Sequence, residues 1–237
     1  MKQALQTCAT LEDFEELLRI LPKPLGVNAN FGVIDANGGA AYYETGNYNF
    51  VKFDANDPSV APFGYIIRTN YSFTGEREED YGLIRYQTAE ELFNNAASTG
   101  QLSYKFLLRD VSRSLKHSLT KTNLGETVPA DSKTEKFVFF CDFIPRYTST
   151  ASVVIQGIKK GEDPSLTTMW TIPGFQLSSV AIPVWIAGGK KLPQCTIADN
   201  TGNAPLCDMA LKLKAKIFPL TRGSYRNYIN LSVLINQ

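Results

Sequence analysis

The sequence carries a single histidine, His117, among its 237 residues. Any mechanism built on a histidine base must therefore use that one side chain, and no Cys/His zinc framework can be assembled. The four cysteines, Cys8, Cys141, Cys195 and Cys207, include no CxxC pair. No metal centre and no cofactor is expected. Phosphate cradles and nucleophile elbows are missing too, since there is no P-loop, no GxGxxG after a strand, no GxSxG and no HExxH. No apolar run approaches the ~20 residues of a spanning helix, so no membrane span is expected. Met1 to Gln6 lack the apolar stretch and small-residue cleavage site of a secretory signal. The compartment stays open, and a periplasmic or secreted location fits if the native precursor is longer. Charge of one sign is also lacking. Lys and Arg number 24 against 23 Asp and Glu, a formal net charge of +1, which argues against nucleic acid as a partner.

Bulky apolar material is plentiful, with 14 Phe and 11 Tyr in a chain that is 43% hydrophobic. That is ordinary for a globular protein, and residues 1–237 are read as a single domain. Thr10-Leu11-Glu12-Asp13 resembles a capping box, and Leu11, Phe14, Leu17, Leu18 and Leu21 follow at helical spacing until Pro22 and Pro24 stop the helix. Ala4 and Leu5 read as the tail of an earlier helix. Asn37-Gly38 between two β-like runs marks a hairpin. Tyr48 to Phe53 and Phe63 to Thr69 add two strands, giving an antiparallel meander of four. The middle turns helical, with Thr88 capping a short helix through Ala97 and a second helix over Ser103 to Leu119 that leaves His117 on a solvated flank. Residues 120–135 read as an exposed loop. Strands are expected over Lys136 to Ile144, Ser152 to Ile158, Thr167 to Ile172 and Val180 to Ile186, then a helix from Ala204 carrying Met209, Leu211 and Leu213. Helices segregated from antiparallel strands indicate an α+β fold. Cys141, within an apolar run, reads as a buried small hydrophobe. Cys195 and Cys207 flank a Gly/Asn-rich loop and could pair in an oxidising compartment. Asn230-Leu231-Ser232 is an N-x-S match of little weight.

One segment carries chemistry. The β-rich run from Gly64 to Thr69 ends in Asn70, and Arg85 follows just before a helix. An asparagine at a strand end can aim its amide N–H into a cleft and stabilise a developing oxyanion. An arginine beside it can order that amide or take a substrate carboxylate bidentately. A turn asparagine and a surface arginine would look the same in pattern.

Three stretches resemble the family that includes penicillin acyltransferase and acid ceramidase, relatives of the choloylglycine hydrolases. The first is Gly26-Val27-Asn28-Ala29-Asn30-Phe31-Gly32-Val33-Ile34-Asp35, running into Gly39-Ala40-Ala41-Tyr42-Tyr43-Glu44. The second is Arg68-Thr69-Asn70-Tyr71, with Arg85 where an active-site arginine is expected. The third is Thr167-Thr168-Met169-Trp170, followed by Val180-Ala181-Ile182-Pro183-Val184. The resemblance covers roughly residues 1–190. It implies a layered αββα sandwich of the N-terminal-nucleophile hydrolase type and a linear-amide hydrolase or acyltransferase acting on a small amide or acyl substrate. It also implies Asn70 as oxyanion donor, Arg85 as organiser of the site, and Asn28 or Asn30 on the substrate side. In that family an exposed N-terminal Cys attacks the amide carbonyl and its own α-amino group, with a pKa of ~8, is the base. No histidine is needed.

The nucleophile is where the sequence departs from that pattern. Cys8 is the one early cysteine, and an amphipathic helix follows it where a strand should. Pro24 and Gly26 stand where the family's downstream Arg and Asp would be sought. Cys8 is therefore read as a core residue at a helix junction, and the chain as the part of the fold that follows the nucleophile. Such a part is expected to associate, as a homo-oligomer or with a separate N-terminal segment, and to lack amidase activity alone. A non-catalytic binder of acyl or amide ligands, or a scaffold derived from the same fold, is the competing expectation.

Overall fold

The computed structural model describes residues 1–75, 81–127, 134–200, 202–220, 223 and 227–235. It is an α+β protein whose described strands all pair antiparallel. Two short helices, α1 (Lys2–Thr7) and α2 (Leu11–Ile20), lead into a three-stranded meander of β1 (Ala29–Ile34), β2 (Ala40–Thr45) and β3 (Phe50–Asp54). The capping box forms as expected. Thr10 accepts from the Asp13 amide at 3.2 Å while the Asp13 carboxylate accepts from the Thr10 amide at 3.1 Å. The Asn37-Gly38 hairpin also forms, and Asp35 holds it together. One Asp35 oxygen accepts from the Asn37 and Gly39 amides, both at 2.8 Å, and the other from the Leu11 amide at 3.2 Å. A single carboxylate thus ties the turn to the start of α2.

Strand alternation gives this sheet two different faces. Phe31, Val33, Ala41, Tyr43 and Phe50 face α2 and pack on Leu11, Phe14 and Leu18. Cys8 joins that cluster at the α1–α2 junction, as a core cysteine should. Asn30, Tyr42, Glu44, Val51 and Phe53 alternate onto the opposite face. Asn30, one of the candidate residues, is on this second face.

The fourth strand of the expected meander does not exist. Phe63 and Gly64 belong to a turn closed by the Gly64 amide on the Ala61 carbonyl, and Tyr65 to Thr69 join no ladder, so the sheet has three strands. The segment crosses the second face of the sheet instead of lining its edge. Side chains replace the ladder there: Asn30 donates to the Thr69 carbonyl at 3.0 Å, and Arg68 donates to the Ile67 carbonyl at 2.8 Å. The next helix, α3 (Leu83–Ser98), begins five residues before Thr88. Thr88 is inside it, buried, donating to the Ile84 carbonyl and accepting from the Ser118 amide.

The expected helix over Ser103 to Leu119 is likewise cut short. Ser103 caps one turn, α4 (Tyr104–Phe106), which widens into a π-turn at Leu107–Val111 and then ends. Ser112 and Ser114 bond local backbone groups, a competition that disfavours helix interiors. The chain enters a small hairpin of β4 (Lys116–His117) and β5 (Thr122–Asn123). His117 is consequently buried, set edge-on against Phe143 at 5.1 Å, with its Nδ1 accepting from the Thr120 amide. Within residues 120–135, Leu124 belongs to the core, and 128–133 lie outside the described residues.

Of the expected strand from Lys136 to Ile144 only β6 (Phe137–Phe139) is realised. Asp142 then takes a left-handed φ of 58°. That reversal sends Phe140 and Phe143 into the core and leaves Cys141 exposed, not buried as expected. A second sheet contains β7 (Ala151–Gln156), β8 (Thr168–Pro173) and β9 (Ile182–Trp185). Helix α5 (Pro205–Ile217) starts where expected but buries Ala210, Lys214 and Ile217 while Met209 and Leu211 face outward. Near the end, β10 (Tyr228–Asn230) pairs with β6 and runs into α6 (Leu231–Ile235). Phe140, Phe143, Phe175, Ile217, Phe218 and Ile229 are central to this second core. Asn230 is buried there and donates to Glu135 at 3.1 Å, which removes it as a glycosylation acceptor in the folded state. Cys195 and Cys207 are both free thiols.

Gly82 joins the Asn70 loop to α3. Its φ is +81°, and a Cβ there would stand 2.9 Å from both the Asn70 amide nitrogen and the Thr69 hydroxyl. Only glycine fits both the conformation and the space. Gly82→Ala should therefore destabilise the fold by about 1–3 kcal/mol, read as a lowered midpoint in denaturant; an unchanged midpoint would mean the turn is not under this constraint.

Candidate functional site

A cavity of about 980 Å³ opens on the second face of the β1–β3 sheet. Its lining contains Asn28, Asn30, Asn70 and Arg85, all four residues that the sequence singled out. Asn28 and Asn30 come from the start of β1 and its approach. Asn70 ends the unpaired segment that crosses the sheet, and Arg85 sits in the first turn of α3. Sequence positions from three different parts of the chain meet at one wall.

The geometry between Asn70 and Arg85 is specific. Arg85 Nη2 donates to Asn70 Oδ1 at 2.7 Å. A guanidinium can only donate, so the carbonyl oxygen of the amide must face Arg85 and the NH₂ group must face away from it. The orientation of an asparagine amide, normally ambiguous, is fixed here by chemistry. Asn70 thereby presents an N–H donor whose direction is set by its neighbour. Thr69, next in the chain, donates to the Gly82 carbonyl at 3.0 Å and accepts from the Tyr71 amide at 3.2 Å. The start of α3 and the Asn70 loop are thus one hydrogen-bonded unit.

Asn30 faces the same space from β1. Its Nδ2 is spent on the Thr69 carbonyl, whereas its Oδ1 is buried with no hydrogen-bond partner among the described residues. The cavity wall therefore holds a directed donor at Asn70 and, buried within it, an acceptor at Asn30 without a partner among the described residues. Asn28 is exposed at the rim.

Two residues of this site escaped the sequence reading. Arg68 lies with its guanidinium 4.0 Å from the Phe53 ring centroid and 4.5 Å from that of Phe73. This aromatic sandwich holds a planar cation well. Burial pushes its pKa down from the ordinary arginine value, with Glu44 opposing that shift. Glu44 is the other. It is buried at the cavity wall and accepts from the Ser72 hydroxyl and from the Phe73 and Thr74 amides at 3.0 and 3.1 Å. Glu44 is thus the clasp that shapes the loop after Asn70. Both are long-range arrangements with no local sequence signal.

Arg85 is also pushed below its ordinary pKa, by burial first and then by the nearby Arg146, against the pull of Asp142 and Cys141. Among the described residues no carboxylate forms an ion pair with Arg68, Arg85 or Arg146. The cavity lining contains no cysteine, and no group of three or more His, Cys, Asp or Glu side chains among the described residues could hold a metal ion. Cys8 packs beneath the opposite face of the sheet, against α2.

Glu44 provides a pH dependence with a defined sign. Burial raises its pKa, but the Ser72 hydroxyl and the Thr74 and Phe73 amides outweigh it and leave the folded value below the ordinary one. The stability it contributes is complete above the unfolded glutamate pKa of ~4.3 and is lost as pH falls through the lower folded value. Thermal melts from neutral pH down to that range should show a decline in the wild type that is shallower in Glu44→Gln. Parallel pH profiles would contradict the assignment.

Compared with protein-family models, curated proteins and solved structures, the chain matches no family model, no curated protein and no solved structure.

Proposed function

We propose that this cavity binds the amide or carbonyl group of a small acyl ligand, and that the chain is the oxyanion- and substrate-holding part of a linear-amide hydrolase or acyltransferase. The observation that carries this reading is the 2.7 Å bond from Arg85 to Asn70 Oδ1, which turns the Asn70 N–H donor outward. Preorganised donors of this kind stabilise the negative charge that develops on a carbonyl oxygen under attack. Asn30 Oδ1, buried and unpartnered, supplies the complementary acceptor for a ligand N–H. The layered αββα arrangement belongs to the same proposal. It is supported by α2 covering one face of the first sheet and by the second antiparallel sheet. In that second sheet Val153, Ile155 and Met169 stand exposed on one face, which supports completion of the fold by a second copy or by an N-terminal segment.

The cysteine nucleophile that this reading calls for is not among the described lining residues of the cavity. The chain alone is therefore expected to bind N-acyl amino acids and related amides without turning them over. Amide turnover by this polypeptide that disappeared in Cys8→Ala would overturn that expectation.

Titration calorimetry with a panel of N-acyl amides tests the binding reading. Asn70→Ala should weaken binding by about 1 kcal/mol, the size of one hydrogen bond. Asn70→Asp keeps an acceptor for Arg85 but removes the donor, so it should lose affinity at least as severely. Affinities unchanged in both variants would sink the proposal.

A further inference from the structure

A second cavity of about 280 Å³ shares Tyr42, Arg68, Thr69 and Arg85 with the larger one. Its remaining lining is apolar: Ile66, Ile67, Ala89, Phe93, Val111 and Ile144. The two spaces therefore share a boundary, the neck, whose charged members among the described residues are two arginines. The smaller space lies just under the ~300–1,000 Å³ of drug-sized ligand sites, so it takes part of a ligand, not the whole.

Among the described residues the neck has no anion paired to its arginines. Arg68 and Arg85 each have a buried Nε with no hydrogen-bond partner, and neither pairs with a carboxylate among the described residues. Arg146 adds a third positive charge on the Arg85 side. Glu44 is near Arg68 but is occupied by Ser72, Phe73 and Thr74. Helix α3 begins at the same place with neither a side-chain cap nor an acidic residue in its first turn, so its positive end reinforces the arginines. Arg68 and Arg85 are half-buried, where an anion brought by a ligand is worth more to a guanidinium than it would be in open water. Arg68 is held in place by the rings of Phe53 and Phe73, and its planar guanidinium is the group that matches a forked carboxylate.

We propose that the neck binds the carboxylate of a short-chain or aryl carboxylic acid, with Arg68 as its principal anchor and the acid's hydrocarbon tail seated in the small apolar cavity. This rests on the reading of the larger cavity as an acyl-ligand site and adds the charge of the head group and the size of the tail. A free acid of this kind is what hydrolysis of an N-acyl amide would release. The tail cavity limits the acid to a phenyl ring or a short alkyl chain. Each methylene that enters it should tighten binding about fourfold, and those beyond its end should add nothing.

Titration calorimetry on the full chain tests this with butanoate, hexanoate, phenylacetate, hexadecanoate and, as the uncharged control, hexanamide. Hexanoate and phenylacetate should bind on the order of tenfold tighter than butanoate, and hexanamide should bind more weakly than hexanoate. Hexadecanoate should gain nothing over hexanoate. Arg68→Met should abolish the preference for hexanoate over hexanamide, with Arg68→Lys restoring part of it. Ala89→Leu, which narrows the tail cavity, should shrink the ratio of hexanoate to butanoate affinity. The chain-length series uses the unaltered protein and so stands even if an Arg68 variant fails to fold. No preference for acid over amide, or affinity rising steadily to hexadecanoate, would overturn the proposal. If N-acyl amides bind through Asn70 while every carboxylate fails, the carboxylate site is wrong and the amide reading survives. If neither class binds, both fall.

Discussion

An arginine side chain has five N–H donors and no acceptor, and that asymmetry organises this molecule's cavity. Once Arg85 donates to Asn70, the amide can point only one way, and the loop from Thr69 to Tyr71 must take the path that allows it. Gly82 makes the arrangement possible by letting the chain turn within contact of Asn70 before α3 begins. Glu44 clasps the far side of the same loop through Ser72, Phe73 and Thr74. A helix start, a strand and a loop are thus bound into one wall by polar contacts, together with the packing of Tyr71 and Phe73 on Tyr86 of α3.

The sheet beneath that wall separates stability from chemistry. Its α2 face is filled by Phe14, Phe31, Tyr43 and Phe50, whose rings meet mostly edge to face at 5.0 to 6.1 Å. Its other face is given over to Asn30, Tyr42 and Glu44, with Arg68 spread over Phe53. Because strand residues alternate, one strand serves both purposes: Tyr43 is fully buried while its neighbours Tyr42 and Glu44 line the cavity. The same alternation puts Cys8 on the wrong side of the sheet to reach the Asn70 N–H.

Local signals were legible in the sequence wherever a few adjacent residues decide the outcome. The Thr10–Asp13 box, the Asn37-Gly38 hairpin and the start of α5 after Ala204 all belong to this class, as does the α+β character. Phe63 to Thr69 was misleading because its composition is that of a strand, while its tie to the sheet is the Asn30 side chain on the Thr69 carbonyl instead of a ladder. His117 and Cys141 were misplaced for a related reason. A polar stretch ended the helix that would have exposed one, and the left-handed Asp142 rotated the other out of the core. Lys214 shows the limit of reading burial from polarity, since it is buried against Tyr147 and Phe175 with its ammonium donating to the Ser149 carbonyl. Of the site, Asn70, Arg85, Asn28 and Asn30 were legible through a family resemblance. Arg68 and Glu44 were not, because their roles exist only once Phe53, Phe73 and the loop at 72–74 have been brought to them.

The central claim is that Arg85 acts on the ligand through Asn70. A double-mutant cycle on N-acyl amide binding, using Asn70→Ala, Arg85→Met and the two combined, measures that directly. The account predicts a coupling of about 1 kcal/mol, nearly the whole Asn70→Ala loss, because an Asn70 released from Arg85 no longer directs its N–H and has little left to lose. Losses that simply add, within the ~0.5 kcal/mol expected of independent sites, would contradict it.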